Sequence, residues 1–182
     1  MNGMKQLILQ HQNKEERGKI MNKLIKILFV VSLLFVGGCS SKDNNEQKLK
    51  DTEVSYKDNV IALNENIENI VKNLGEPNEK NESKSCLYEG YDKEFIYTDL
   101  MITTYPKEDK DYVSCITVTS KDVSLAKEVF VGDHKDKIYE KYGKDCVSED
   151  DYSITYEYGY YGFVFYLNDS IIEQYDLYLI QE

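Results

Sequence analysis

From Ile27 to Gly38 the chain is apolar except for Ser32, and at Cys39 it breaks into the polar stretch "CSSKDNNEQK". Those twelve residues fall well short of the roughly 20 that a helix needs to cross a bilayer. Lys23 and Lys26 stand ahead of the run, so the order is a positive start, an apolar centre and a small-residue end. That is the layout of an export signal rather than of a permanent membrane helix. An export signal is expected to be removed, so the fold must come from the 144 residues that follow the apolar run. A chain of that length can enclose one real core.

Val36-Gly37-Gly38-Cys39 resembles the bacterial lipobox, an aliphatic residue and two small ones before a cysteine. The resemblance implies cleavage between Gly38 and Cys39 and a covalent diacylglycerol on Cys39, with palmitate-like chains and no other cofactor. It also implies residence on the extracytoplasmic face of the cell membrane. The chemistry suits the residues: small side chains let the backbone lie extended in a peptidase cleft, and cysteine supplies a nucleophilic sulfur. Two acyl chains, at about 0.8 kcal/mol per buried methylene, hold a protein where one would not. Upstream, "MNGMKQLILQHQNKEERGKI" is a charged lead that an export signal does not need, and Met21-Asn22-Lys23 reads as the natural start. Residues 39–59 read as the lipidated cysteine and a flexible tether, since 40–53 carry almost no large apolar side chain.

Of the 22 basic and 33 acidic side chains, six and two lie in residues 1–38, leaving 16 against 31 in the mature chain. Such a surface repels nucleic acid, whose binding depends on neutralising phosphates. It repels anionic headgroups too, so a lipid on Cys39 has to do the anchoring. The acid excess itself is read as solubility.

Shifting the sequence by 68 positions sets 61–98 on 129–166 without a gap, matching Ile70/Ile138, Gly75/Gly143, Ser85/Ser153, Tyr88/Tyr156, Glu89/Glu157 and Phe95/Phe163. Ile67, Ile70, Val71 and Leu74 have helical spacing, with Gly75 and Pro77 as stop signals. In the second copy Asp133 is the expected N-cap, Ile138, Tyr139 and Tyr142 form the apolar side, and Gly143 is the stop. Strand-like sequence follows each helix, with period-two alternation at Ile154, Tyr156 and Tyr158 and at Tyr175, Leu177 and Leu179. The order of a short helix ending in "LGEP" or "YGKD" and then a meander resembles the SmpA/OmlA-like and β-lactamase-inhibitor-protein-like repeats. The expected fold class is accordingly α+β. Residues 60–182 would form a single domain of two tandem helix–three-stranded-meander repeats, about 60–120 and 128–182. Together they would make an antiparallel sheet with both helices on one face.

Chemistry is sparse. His134 sits on a polar turn without the nucleophile and orienting acid that a hydrolase needs. One mature histidine and scattered cysteines offer no zinc spacing, and neither "SEDD" nor "KEDKD" has the pattern of a calcium loop. No catalytic and no metal-binding residue is therefore expected. Cys86, Cys115 and Cys146 permit at most one bridge, and Cys86 and Cys115 are read as small buried hydrophobes in strands. The compositional outlier is tyrosine, with sixteen in the chain and eight between Tyr152 and Tyr178. Most suit strand packing; Tyr160, Tyr161, Tyr166 and Tyr178 are the set expected to face outward and bind. In the families resembled, the sheet face is where protein partners dock. The expectation is a non-catalytic, membrane-anchored module for a protein or cell-wall partner; a small-ligand (peptide, sugar or cation) binding lipoprotein is the alternative, and an enzyme the third reading.

Overall fold

The computed structural model describes residues 50–180. Gly38, Cys39, the Met21 start and most of the tether lie outside the described residues. Among the described residues, eleven strands and two short helices follow in order. Strands β1 (Glu53–Tyr56) and β2 (Asn59–Ala62) precede helix α1 (Ile67–Leu74). Then come β3 (Glu79–Lys84), β4 (Tyr91–Ile96), β5 (Leu100–Lys107), β6 (Lys110–Val118) and β7 (Val123–Leu125). Helix α2 (Asp136–Tyr142) leads into β8 (Ser148–Glu149), β9 (Ser153–Tyr158), β10 (Tyr161–Asn168) and β11 (Ile171–Leu179).

Two antiparallel sheets result. One has the order β2-β1-β7; the other has eight strands in the order β3-β4-β5-β6-β11-β10-β9-β8. Alternation decides which face of the large sheet is covered. Ile102, Ile116, Val118, Phe163, Phe165, Tyr175 and Leu177 are buried, and their neighbours along each strand, Gly162 apart, are more open. Val54, Tyr56, Ile61, Val123 and Leu125 of the small sheet join the same core, as do Ile67 and Ile70 of α1 and Ile138 of α2. Two tyrosine hydroxyls fasten the small sheet: Tyr175 donates to the Val123 carbonyl at 3.1 Å, and Tyr56 to the Asp99 carboxylate at 2.6 Å.

The expected α+β architecture does not hold. Strands take up 51 % of the described residues and helices 11 %, so this part of the chain is mostly β. The 68-residue shift explains the error. It is sound at the helices, where Ile70 and Ile138 are both buried and Gly75 and Gly143 end them at φ 86° and 85°. Beyond them it sets the exposed loop Ser85–Glu89 against β9, and β4 against the β9–β10 turn and the first half of β10. Each helix, moreover, precedes four strands of the large sheet rather than three, and a second sheet of three strands exists besides.

Three smaller expectations also change. Within the stretch 39–59 expected to be tether, β1 is folded, with Val54 and Tyr56 buried. Cys86 is exposed on the β3–β4 loop rather than buried in a strand, while Cys115 is half-buried in β6; both, and Cys146, are free thiols. Asp133 does not cap α2; its carboxylate accepts from the Phe130 N–H at 2.9 Å, one turn earlier.

Candidate functional site

The β9–β10 hairpin turns through Gly159, at φ 66°, and Tyr160. Alternation then fixes what stands near the turn. Tyr158 continues the face of Ile154 and Tyr156, and Tyr161 continues that of Phe163 and Phe165. Both therefore lie on the core side of the sheet, where the core runs out at its end. Their rings pair at 5.7 Å between centroids, Tyr160 meets Tyr161 edge-on at 5.4 Å, and Tyr158 stacks on the buried Tyr156 at 6.3 Å. Tyr160 is 61 % exposed and Tyr158 36 %.

Helix α2 backs this ledge. Tyr142, in its last turn, packs against Tyr156, Phe163 and Phe165 at 5.1–5.6 Å. The Lys127 ammonium lies 4.4 Å from the Tyr142 ring centre and 5.9 Å from that of Tyr158. A cation held against aromatic faces in this way gains from their quadrupoles. The Tyr161 hydroxyl donates to Asp51 at 3.5 Å, which brings a carboxylate from the start of the domain to the ledge. Burial, then the Asp51 charge, raises the pKa of Tyr142, Tyr158 and Tyr161, so the phenols stay neutral donors well above neutral pH. The ledge thus offers broad apolar ring surface, neutral hydroxyl donors, one cation and one anion.

The four tyrosines expected to act together are divided between two faces. Tyr160 and Tyr161 belong to the ledge. Tyr166 and Tyr178 lie on the open face of the large sheet, where Tyr166 donates to Asp176 at 3.1 Å and Tyr178 to Glu157 at 3.3 Å. Tyr178 faces Gly162 on one side and Cys115 on the other. That face is a row of tyrosine–carboxylate pairs, already satisfied. Sequence reasoning missed Tyr142, Tyr158, Lys127 and Asp51 as ledge members. The alternation Ile154-Tyr156-Tyr158 running straight into a glycine turn could have singled out Tyr158. Nothing local marks Lys127 or Asp51.

Elsewhere among the described residues the surface carries charged grooves. One of about 300 Å³ lies between Gly90, Lys93, Pro106 and Asp111, where Lys93 pairs with Asp111 at 2.7 Å. His134 is exposed and its ring accepts from the Asp136 N–H at 3.3 Å. No cluster of three or more potential metal ligands occurs among the described residues.

The family described as "Domain of unknown function (DUF7738)" matches residues 48–134, ending just ahead of α2. The matched stretch is similar to that family over β1–β7, and it leaves out the β9–β10 ledge. No curated protein and no solved structure matches the chain.

Proposed function

We propose that this chain is a lipid-anchored binding module on the extracytoplasmic face of the cell membrane, non-catalytic, holding a protein or cell-wall partner on the tyrosine ledge. The anchoring half of the reading rests on the sequence: the short apolar run, the two glycines and Cys39. The binding half is carried by one observation, the Tyr158–Tyr160–Tyr161 cluster, with Tyr158 and Tyr160 exposed, Tyr161 half-buried and Lys127 against the Tyr158 ring. Tyrosine gives large, rigid, amphipathic contact at low entropic cost, which is why it is enriched where proteins recognise partners. Asp51, which accepts from the Tyr161 hydroxyl, adds a carboxylate to the ledge.

The test uses the full chain solubilised from membranes. Mass analysis of the N-terminal peptide reads the acyl group on Cys39, and Cys39→Ser releases the protein from the membrane. Binding is measured to purified cell-wall sacculi and, by cross-linking in the envelope, to protein neighbours. Tyr160→Ala with Tyr161→Ala is expected to lower capture at least about tenfold, the loss of two aromatic anchors. Tyr166→Ala is expected to leave it unchanged. Equal capture by the parent and the double variant overturns the ledge reading, and an unmodified Cys39 overturns the anchor.

A further inference from the structure

Strand β3 forms one border of the large sheet, and all six of its residues, "EKNESK", are exposed. The opposite border, β8, is only two residues long. Long free edges are templates for further pairing, and proteins commonly shorten, cover or charge them. β3 is charged, but in a specific arrangement. Ser85 donates its N–H to the Gly90 carbonyl at 3.1 Å, so Ser83, Asn81 and Glu79, in phase with it, turn their backbone groups toward β4. The N–H and C=O groups of Lys80, Glu82 and Lys84 therefore point outward, and no strand among the described residues pairs with them.

We infer that β3 is a homodimerisation edge, joining the large sheets of two copies through antiparallel β3–β3 pairing centred on Asn81. The register follows from face parity, the free backbone groups, charge and the length of strand that overlaps. A two-fold axis normal to the sheet keeps each face on its own side, so residues of like parity must oppose one another. Backbone bonds have to form between the free groups of Lys80, Glu82 and Lys84. Charge then chooses. Centring on Glu82 would oppose glutamate to glutamate and Lys80 to Lys84. Centring on Asn81 opposes Lys80 of each copy to Glu82 of the other, twice, with Glu79 across from Ser83 and Asn81 meeting itself. Opposite charges directly across a ladder favour it and like charges disfavour it, which rejects the register centred on Glu82. Centring on Ser83 would also set Glu82 against Lys84 twice, but it pairs only residues 82–84 of the strand, against 79–83 when Asn81 is the centre.

Little has to be undone. Lys80 now reaches Glu76 at 2.7 Å, and Asn81 reaches Glu94 at 3.4 Å, both exposed contacts. Surface pairs of this kind contribute little. A membrane anchor, if present, would confine copies to one plane and favour the pairing further, but the edge argument does not depend on it.

Sedimentation equilibrium of the solubilised full chain is the test. The parent is expected to form dimers, and Lys80→Glu and Glu82→Lys are each expected to weaken them about tenfold or more, by turning two attractive pairs repulsive. The double variant K80E/E82K restores both pairs and should dimerise like the parent; a mixture of the two single variants should form heterodimers. A parent that stays monomeric, or a double variant as weak as the singles, overturns the inference. Register is read separately. Asn81→Cys should oxidise to a linked dimer, since its pair is a non-hydrogen-bonded one about 4.5 Å apart between Cα atoms. Glu82→Cys should not, and the link is located by peptide mass because Cys86 is exposed. Linking through position 82 in place of 81 overturns the assignment.

Discussion

The Tyr178 ring occupies the space that a side chain on Gly162 would need. The two residues face each other across β10 and β11, and a Cβ at position 162 would stand 2.7 Å from the ring tip. It would also stand 2.8 Å from the Tyr156 carbonyl oxygen on β9. The absence of a Cβ is thus what lets Tyr178 reach across β10 and donate to Glu157. Aromatic cover of a strand glycine is a recurrent way of offsetting the packing that glycine lacks.

Gly162→Ala follows directly. The ring can swing aside, but the Tyr156 carbonyl belongs to the β9–β10 ladder and moves only with the backbone. The expected loss is about 1–3 kcal/mol, the usual cost of overpacking, read from the urea midpoint at unchanged slope. Made in a Tyr178→Ala background, the same change should still destabilise, since the carbonyl conflict remains. Neutrality in both backgrounds would show that the ladder yields there.

Two-residue hairpin turns give a change in the opposite direction. Glu108 and Asp109 join β5 to β6 with φ of 51° and 60°, both in the left-handed region. Such turns favour Asn-Gly, because side chains other than Asn and Asp are strained at positive φ. Glu108→Asn with Asp109→Gly is expected to stabilise by about 1 kcal/mol, raising Tm by roughly 2–6 °C. A lower Tm would mean that the existing side chains make compensating contacts at this turn.

What could be read from the sequence, and what could not, comes down to signal length. Helical spacing closed by Gly75 and Gly143 placed both helices, and strict alternation placed β9 and β11. β3 could not be seen, because "EKNESK" has no apolar residue and hence no period. β1 looked like tether because its polar flanks outweigh Val54 and Tyr56, whose burial depends on β2 and β7 arriving from either side. The internal likeness misled for a physical reason as well. Both helices have their terminal glycine carbonyl held by a tyrosine hydroxyl, Tyr97 to Gly75 at 3.1 Å and Tyr156 to Gly143 at 2.5 Å. These tyrosines are not 68 residues apart, so a gapless shift cannot align them. The ledge was half legible: its exposed tyrosines follow from the hairpin, but Lys127 and Asp51 come from distant segments.

Alkaline pH should unfold the domain through its buried phenols. Burial first, then neighbouring ionisable groups, push Tyr156 from its ordinary value of 10 up to about 12. Burial, then Glu157, does the same for Tyr178, and burial raises Tyr142 and Tyr175 further. The unfolded chain loses these protons near pH 10 while the fold keeps them, so stability is intact below pH 10 and falls as pH rises toward 12. For Tyr156, 1 % exposed, the loss is on the order of 2 kcal/mol by pH 12. Urea midpoints should hold to about pH 9.5 and then drop, with tyrosinate absorbance lagging behind that of a denatured control. Tyr156→Phe should cost about 1 kcal/mol at neutral pH through the lost bond to Gly143 and should shallow the alkaline limb. A midpoint flat through pH 12 would contradict the burial of Tyr156 and Tyr175.

The thiols separate along the same line. Cys86 is exposed, whereas Cys115 sits half-buried in β6 directly across from Tyr178. Burial, then the nearby Asp176 charge, pushes the Cys115 thiol up to about 12, against a small lowering by Thr117. Thiol reagents attack the thiolate, so at neutral pH native Cys115 should react at least about a hundredfold more slowly than Cys86. Denaturation should bring the two rates together. Tyr178 supplies the discriminating variant, because it flanks Cys115 on one side as it covers Gly162 on the other. Tyr178→Ala should speed the Cys115 reaction by opening that face to water while leaving Cys86 unchanged. If Cys115 in the parent already reacts as fast as Cys86, the open face of the large sheet is wetter at β6 and β11 than its packing implies, and the tyrosine cover on Gly162 would lose its support as well.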